Sequence, residues 1–178
     1  FLSKFIQNLP ILADDQSILN GYEFAKYNNW GEDLITKFSI YTRAVNSLDN
    51  SKDVRISERL SLPRDKLKGF EYSKIGPKDG NDYVGGNYAA SVNLTTNLPM
   101  ILPSVQTADF AFFIDAGNVW GVDYSSTVNE SNEIRSAAGI GVNWFTPIGP
   151  LNFTLAQPIT KASSDKTQTF QFSIGTTF

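Results

Sequence analysis

Apolar and polar residues alternate one by one along most of this chain. In residues 108–116, Ala108, Phe110, Phe112, Ile114 and Ala116 share one face, and Asp109, Ala111, Phe113 and Asp115 share the other. A helix would scatter these residues around its circumference, whereas an extended strand separates them cleanly. The pattern recurs at 134–144, where Ile134, Ser136, Ala138, Ile140, Val142 and Trp144 oppose Arg135, Ala137, Gly139, Gly141 and Asn143. Leu151, Phe153 and Leu155 alternate with Asn152, Thr154 and Ala156. Phe170, Phe172, Ile174, Thr176 and Phe178 alternate with Gln171, Ser173, Gly175 and Thr177. Tyr88, Ala90, Val92 and Leu94 oppose Asn87, Ala89, Ser91, Asn93 and Thr95, and Phe38 and Ile40 oppose Lys37, Ser39, Tyr41 and Arg43. Weaker strand patterns fall near 18–27 and 54–62, giving an all-β chain of about eight strands.

Turn-forming residues separate these runs at 14–15, 28–31, 46–53, 97–99, 121–133, 147–150 and 162–166. Tight connections such as 147–150 contrast with long polar ones such as 121–133. Short turns on one side and long loops on the other suit an antiparallel transmembrane β-barrel. The longest connection, about 63–82, is rich in Gly, Lys and Asp, and a loop of that length in an all-β protein tends to carry function. Periodicity alone also admits a soluble β-sandwich or small closed barrel with its apolar face inward. Three features favour a membrane barrel with its apolar face toward lipid. The polar faces carry Asn, Ser, Gly and Thr, not long charged side chains. Trp120 and Trp144 with Phe145 sit at strand ends, where an interfacial aromatic girdle belongs. The chain also finishes on an aromatic residue.

Composition narrows the chemistry. The 178 residues carry a net charge of −3 and include no cysteine and no histidine. This removes disulfides, thiolate catalysis, the commonest zinc ligand and every Ser-His-Asp arrangement. The acidic balance argues against nucleic acid as a partner. Paired carboxylates for glycoside chemistry, phosphate-cradling glycine loops and metal-binding carboxylate loops are not convincingly present. No cofactor, metal site or enzymatic activity is expected. A run of about 18 apolar residues, as a transmembrane helix needs, does not occur. The chain opens on Phe1 without a signal-like segment and has Met100 as its one methionine. A fragment of a longer protein is therefore expected.

From residue 66 onward the sequence resembles the BamA family of outer-membrane assembly factors. Leu67-Lys68-Gly69-Phe70 resembles the Arg-Gly-Phe segment of that family's inward-folding loop. Gly76-Pro77-Lys78-Asp79 and Asp82-Tyr83-Val84-Gly85-Gly86-Asn87 resemble the end of that loop and the following strand. Phe113-Ile114-Asp115-Ala116-Gly117-Asn118-Val119-Trp120 is similar to a family strand motif. So is Gly139-Ile140-Gly141-Val142-Asn143-Trp144, which runs on to Pro147-Ile148-Gly149-Pro150-Leu151. The ending Phe170-Gln171-Phe172-Ser173-Ile174-Gly175-Thr176-Thr177-Phe178 resembles the family's terminal targeting strand. Each motif is weak alone; their shared order over about 110 residues is specific.

The resemblance implies that residues 1–178 are the C-terminal part of one outer-membrane β-barrel domain, about eight strands of sixteen. It implies a loop near 63–82 folding into the lumen. It implies an insertase that folds and inserts other β-barrel proteins through a lateral seam in the outer membrane of a Gram-negative bacterium. Its partners would be unfolded barrel clients, outer-membrane lipids and accessory lipoproteins. The alternative within the superfamily is a two-partner secretion or TamA-like translocation pore. Lys68, Gly69 and Phe70 would anchor the loop, with Lys68 standing where the family has arginine and so lacking the planar five-donor fork. Asp115 would be the lumen partner, and the family's second acidic position would fall near Thr95, leaving one acid of the usual pair. The plain alternatives are a solvated loop charge for Lys68 and an ordinary lumen carboxylate for Asp115. Gly85 and Gly86 would permit close backbone approach or a kink at a strand start. Phe170, Phe172, Ile174, Gly175 and Phe178 would form the terminal seam and targeting strand.

Overall fold

The computed structural model describes residues 1–9, 17–31, 34–98, 107–128, 132–147 and 149–175. In chain order its strands are β1 (Leu2–Asn8), β2 (Ser17–Asn29), β3 (Ile35–Ser47), β4 (Lys78–Asp79), β5 (Asp82–Tyr83), β6 (Tyr88–Leu98), β7 (Ala108–Trp120), β8 (Arg135–Thr146), β9 (Gly149–Thr160) and β10 (Phe170–Ile174). The eight long strands form one antiparallel sheet in the order β1-β2-β3-β6-β7-β8-β9-β10, and β4 and β5 pair as a separate small hairpin. Every step in the large sheet joins neighbours along the chain, with only the β4–β5 excursion set aside. This is the up-and-down order of a barrel wall.

The alternation read from the sequence decides which way each strand faces. In one register row, Phe112 stands beside Ile140, Ile140 beside Leu155, and Leu155 beside Phe170. These four side chains are 42–53% exposed. They form a continuous apolar band on the outside of the sheet. The next row inward sets Ser39 beside Asn93, Asn93 beside Asp115, and Asp115 beside Ala137, and all four are buried. A soluble sandwich would bury the first row and expose the second. The observed inversion belongs to a wall with apolar solvent outside and polar protein within. Trp120 ends β7 at the long-loop rim, stacked on Tyr88 at 5.8 Å between ring centroids. Trp144 and Phe145 lie near the end of β8 at the opposite rim.

Two sequence expectations need correction. Residues 54–62 are not a strand. They contain the single 3-10 turn Ile56–Glu58 and one isolated bridge, Leu60 to Gly86, because Pro63 and the charges at Arg55, Glu58 and Arg59 leave too little alternation to hold a ladder. The eighth strand is instead β1, paired with β2 through Leu2 to Asn8. Secondly, the long connection runs beyond 63–82. It spans residues 48–87, from the end of β3 to the start of β6.

That connection supplies the centre of the fold. Leu62, Leu67, Phe70 and Ile75 from the loop pack with Tyr41 of β3, Ala89 of β6, Val119 of β7 and Ala137 of β8. Small inward residues on the wall leave the space that these side chains fill, so the apolar core lies between loop and wall.

Candidate functional site

The loop enters along the inner face and places Lys68 over the middle of β7. The Lys68 Nζ lies 3.0 Å from Asp115 Oδ2, and the Lys68 backbone N–H donates to the same oxygen at 3.1 Å. The Asp115 side chain is 0% exposed and that of Lys68 7%. A carboxylate so buried needs several donors to stay charged. Asn93, its cross-strand neighbour on β6, supplies another: Asn93 Nδ2 donates to Asp115 Oδ1 at 2.9 Å and also to the Lys66 carbonyl at 2.8 Å. Lys68 Nζ also sits 4.3 Å from the centroid of the Phe113 ring, whose π face favours a cation.

Asn93, not Thr95, is therefore the β6 residue beside Asp115. Thr95 pairs with Phe113 one row away and lines a cavity of about 230 Å³ beneath the loop tip, together with Lys68, Asp109, Asn143 and Thr154. Sequence reading missed Asn93 because the partner depends on the β6–β7 register, which alternation along a single strand does not give. The findable signal was that Asn93 and Asp115 both lie on polar faces near the middle of their strands.

Gly69 follows with φ of +87°, a left-handed conformation that L side chains rarely adopt. A Cβ there would come within 3.1 Å of the Ala137 Cβ and 3.2 Å of the Ala156 Cβ. Glycine thus serves both the turn and the close approach of loop to wall. Phe70 is buried in the core cluster and pairs with Thr167 in an isolated bridge.

At the rim, Gly86 approaches β7 so closely that a Cβ would lie 2.4 Å from the Trp120 carbonyl oxygen, and Gly85 has φ of +69°. Arg59 reaches Asp123 at 2.6 Å. The same carboxylate accepts the Val54 N–H and the Asn87 amide, each at 3.0 Å. Burial alone would raise the Asp123 carboxyl, but these hydrogen bonds and the Arg59 charge outweigh it and hold the group below the usual carboxylate value.

Phe170, Phe172 and Ile174 point outward from β10, an end strand of the sheet, and the Phe172 ring meets Phe153 of β9 at 5.1 Å. Gly175 leaves the ladder with φ of +88° and donates its N–H to the Pro150 carbonyl at 2.9 Å. Phe178 lies outside the described residues.

The arrangement holds a charged loop inside a wall. Among the described residues, no His, Cys, Asp and Glu cluster could ligate a metal.

Comparison with known proteins supplies the family context. The Omp85 superfamily domain matches residues 5–178. The outer membrane protein assembly factor BamA of Neisseria meningitidis serogroup B is 32% identical over 139 residues, covering 63% of this chain and 17% of that protein. The BamA of Neorickettsia risticii is 32% identical over 144 residues, covering 79% of this chain and 19% of that protein. The sorting assembly machinery 50 kDa subunit of Saccharomyces cerevisiae is 29% identical over 182 residues, covering 94% of this chain and 37% of that protein. The crystal structure of BamA from Haemophilus ducreyi lacking POTRA domains 1–3 superposes with a TM-score of 0.80 at 27% identity, over 92% of this chain and 35% of that one. The chain thus spans about a fifth of the length of the curated BamA relatives.

Proposed function

The chain belongs to the Omp85 superfamily, and we propose that it forms the C-terminal wall of an outer-membrane β-barrel that folds and inserts other β-barrel proteins. Its similarity to outer membrane protein assembly factors sets the localisation, the outer membrane of a Gram-negative bacterium. One observation carries the functional reading: a long loop turned back against the inner wall and held there by Lys68, Asp115 and Asn93. A barrel that must change shape while passing a client strand to lipid needs an internal brace whose bonds can be exchanged.

In this role Lys68, Gly69 and Phe70 anchor the loop and Asp115 receives it. The work is non-covalent, with no cofactor. The end strand β10 is one side of the seam, and backbone groups freed there on opening would pair with an incoming client strand, as in β-augmentation. Within a bilayer this templating is strong, because unmatched backbone groups there have no water to turn to. Clients are unfolded outer-membrane barrels, the surrounding partner is lipid, and accessory assembly lipoproteins are expected.

The test uses the full-length parent protein in lipid vesicles, with the folding rate of a separate, denatured barrel protein followed against empty vesicles. Faster client folding that weakens in Lys68→Met supports both the assembly reading and the loop anchor. Acceleration indifferent to Lys68 keeps the function and removes the anchor. A correctly folded parent that accelerates nothing overturns the assembly reading in favour of a two-partner secretion or TamA-like pore.

A further inference from the structure

The connection between β9 and β10, residues 161–169, enters the account above only through the Phe70–Thr167 bridge, yet it supplies one half of a fully buried ion pair. Arg135, the first residue of β8, and Asp165 both have side chains 0% exposed. Arg135 Nε donates to Asp165 Oδ2 at 2.9 Å and Nη2 donates to Oδ1 at 3.0 Å, a bidentate grip. Nη1 donates to the Glu133 carbonyl at 3.0 Å and to Asn118 Oδ1. Asp165 Oδ2 also accepts the Ala162 N–H at 2.7 Å, closing the turn on itself. A buried pair of this kind adds little net stability over an apolar replacement. Its distinctive product is a fixed position for whatever it holds.

What it holds is the stretch just downstream. The Glu71 N–H donates to the Lys166 carbonyl at 3.0 Å, the Lys166 N–H to the Lys74 carbonyl at 3.1 Å, and the Gln168 N–H to the Gly69 carbonyl at 2.9 Å. These bonds flank the Phe70–Thr167 bridge as a short antiparallel ladder. Gln171, already within β10, donates through Nε2 to the Phe70 carbonyl at 3.1 Å. On its other side the same stretch is bonded to β9: the Ala156 N–H donates to the Thr169 carbonyl at 2.8 Å, and the β9–β10 ladder starts at Phe170.

We infer that residues 166–171 are a coupling segment joining the inward loop to the base of the terminal strand, with Arg135, Asp165 and Gln171 as positioning residues. Arg135 and Asp165 hold the segment at the height where it pairs with the loop tip and β9 together. Gln171 ties the strand itself to the loop backbone. The base of β10 therefore cannot shift without disturbing the loop around Gly69 and Phe70. This bears on seam opening only under the assembly reading; the coupling itself stands without it.

The test is amide hydrogen exchange on the folded full-length parent protein in vesicles, with no client present, so failure of the assembly reading would leave it intact. Asp165→Asn is expected to raise exchange in 69–74 and in 170–174 together, by about tenfold or more, equivalent to about 1.4 kcal/mol of lost protection. Gln171→Ala, which deletes one hydrogen bond and no charge, raises the same two segments together by a smaller factor. Coupling is reciprocal, so Lys68→Met, which removes the Nζ bond to Asp115 and leaves the backbone one, raises exchange in 170–174 as well. Faster exchange confined to 161–169 in Asp165→Asn would make the pair a local loop staple and overturn the inference. If Asp165→Asn does not fold, Gln171→Ala and Lys68→Met decide the matter: a response in only one of the two segments overturns the coupling.

Discussion

The same strands present two unlike faces, and the difference shows what each solvent demands. Outward, Phe112, Ile140, Leu155 and Phe170 form a row without charge, exposed along its length. Inward, Asn93, Asp115 and Arg135 are buried among Ala89, Ala137 and Ala156, and each has a protein partner. In a water-soluble domain the apolar face would be the buried one. Here lipid solvates the outer face, so nothing drives it inward, and the inner face is stabilised by a loop of the same chain. Apolar packing of Leu62, Leu67, Phe70 and Ile75 against the wall and matched polar bonds around Lys68 do the work that a hydrophobic core does elsewhere.

Breaking the inner face should have the largest effect. Asp115→Ala takes the carboxylate from the buried Lys68 ammonium and one of two acceptors from the Asn93 amide, and removing one partner of a buried pair costs about 3–5 kcal/mol. Urea unfolding of the parent barrel in vesicles measures this. The double variant Lys68→Met, Asp115→Ala should recover a substantial part of the loss, because no orphaned charge remains. With Lys68→Met measured alone, a double-variant loss equal to the sum of the two single losses would mean that the pair is not coupled.

The outer face is broken by the same kind of charge from the other side. Ile140 sits midway along β8 and faces outward. Ile140→Arg should cost about 2–4 kcal/mol in a bilayer if that position lies near the midplane. A cost well under 1 kcal/mol in vesicles would show that this face is not against hydrocarbon. A third substitution tests the fit between loop and wall. Gly69→Ala forces a side chain into the left-handed region, roughly 1–2 kcal/mol, and crowds Ala137 and Ala156. The expected loss is intermediate, read by the same unfolding assay, with Ala137→Gly in the same chain relieving part of it.

The two faces differed in how far they could be read from sequence. Alternation alone placed Phe112, Ile140 and Asp115 on their proper faces, because a strand's geometry is local and its period is fixed at two. The family motifs pointed to Lys68 and Asp115 as partners across 47 residues of chain. What sequence could not supply was register. Asn93 in place of Thr95, and the pairing of Arg135 with Asp165, follow from how strands and loops slide into alignment. That alignment is not contained in the period-two pattern of a single strand. Residues 54–62 misled for a related reason: a few alternating residues resemble a strand whether or not a neighbour is free to pair with them, and here Gly86 meets Leu60 alone.

The smallest expected effect lies at the rim, where neither solvent rules outright. Asp123 accepts Val54 N–H, the Asn87 amide and Arg59, but its side chain is 31% exposed, so water screens the pair and the contribution should be at or below about 1 kcal/mol. Its carboxyl titrates below the usual value of 3.8 in the folded protein. A group whose folded value is depressed stabilises fully above the unfolded value and loses that contribution as pH falls toward the folded value. The stability gap between wild type and Asp123→Asn should therefore be constant from neutral pH down to about 5, then close as the pH drops through 4 and below. Urea midpoints of both proteins across that range would show it. A gap that widens on acidification would reverse the sign and remove Asp123 as the carboxylate that ties the outer end of the loop to the β7–β8 connection. The Lys68–Asp115 pair and the ladder at 166–171 would then be left to hold that loop from within the wall alone.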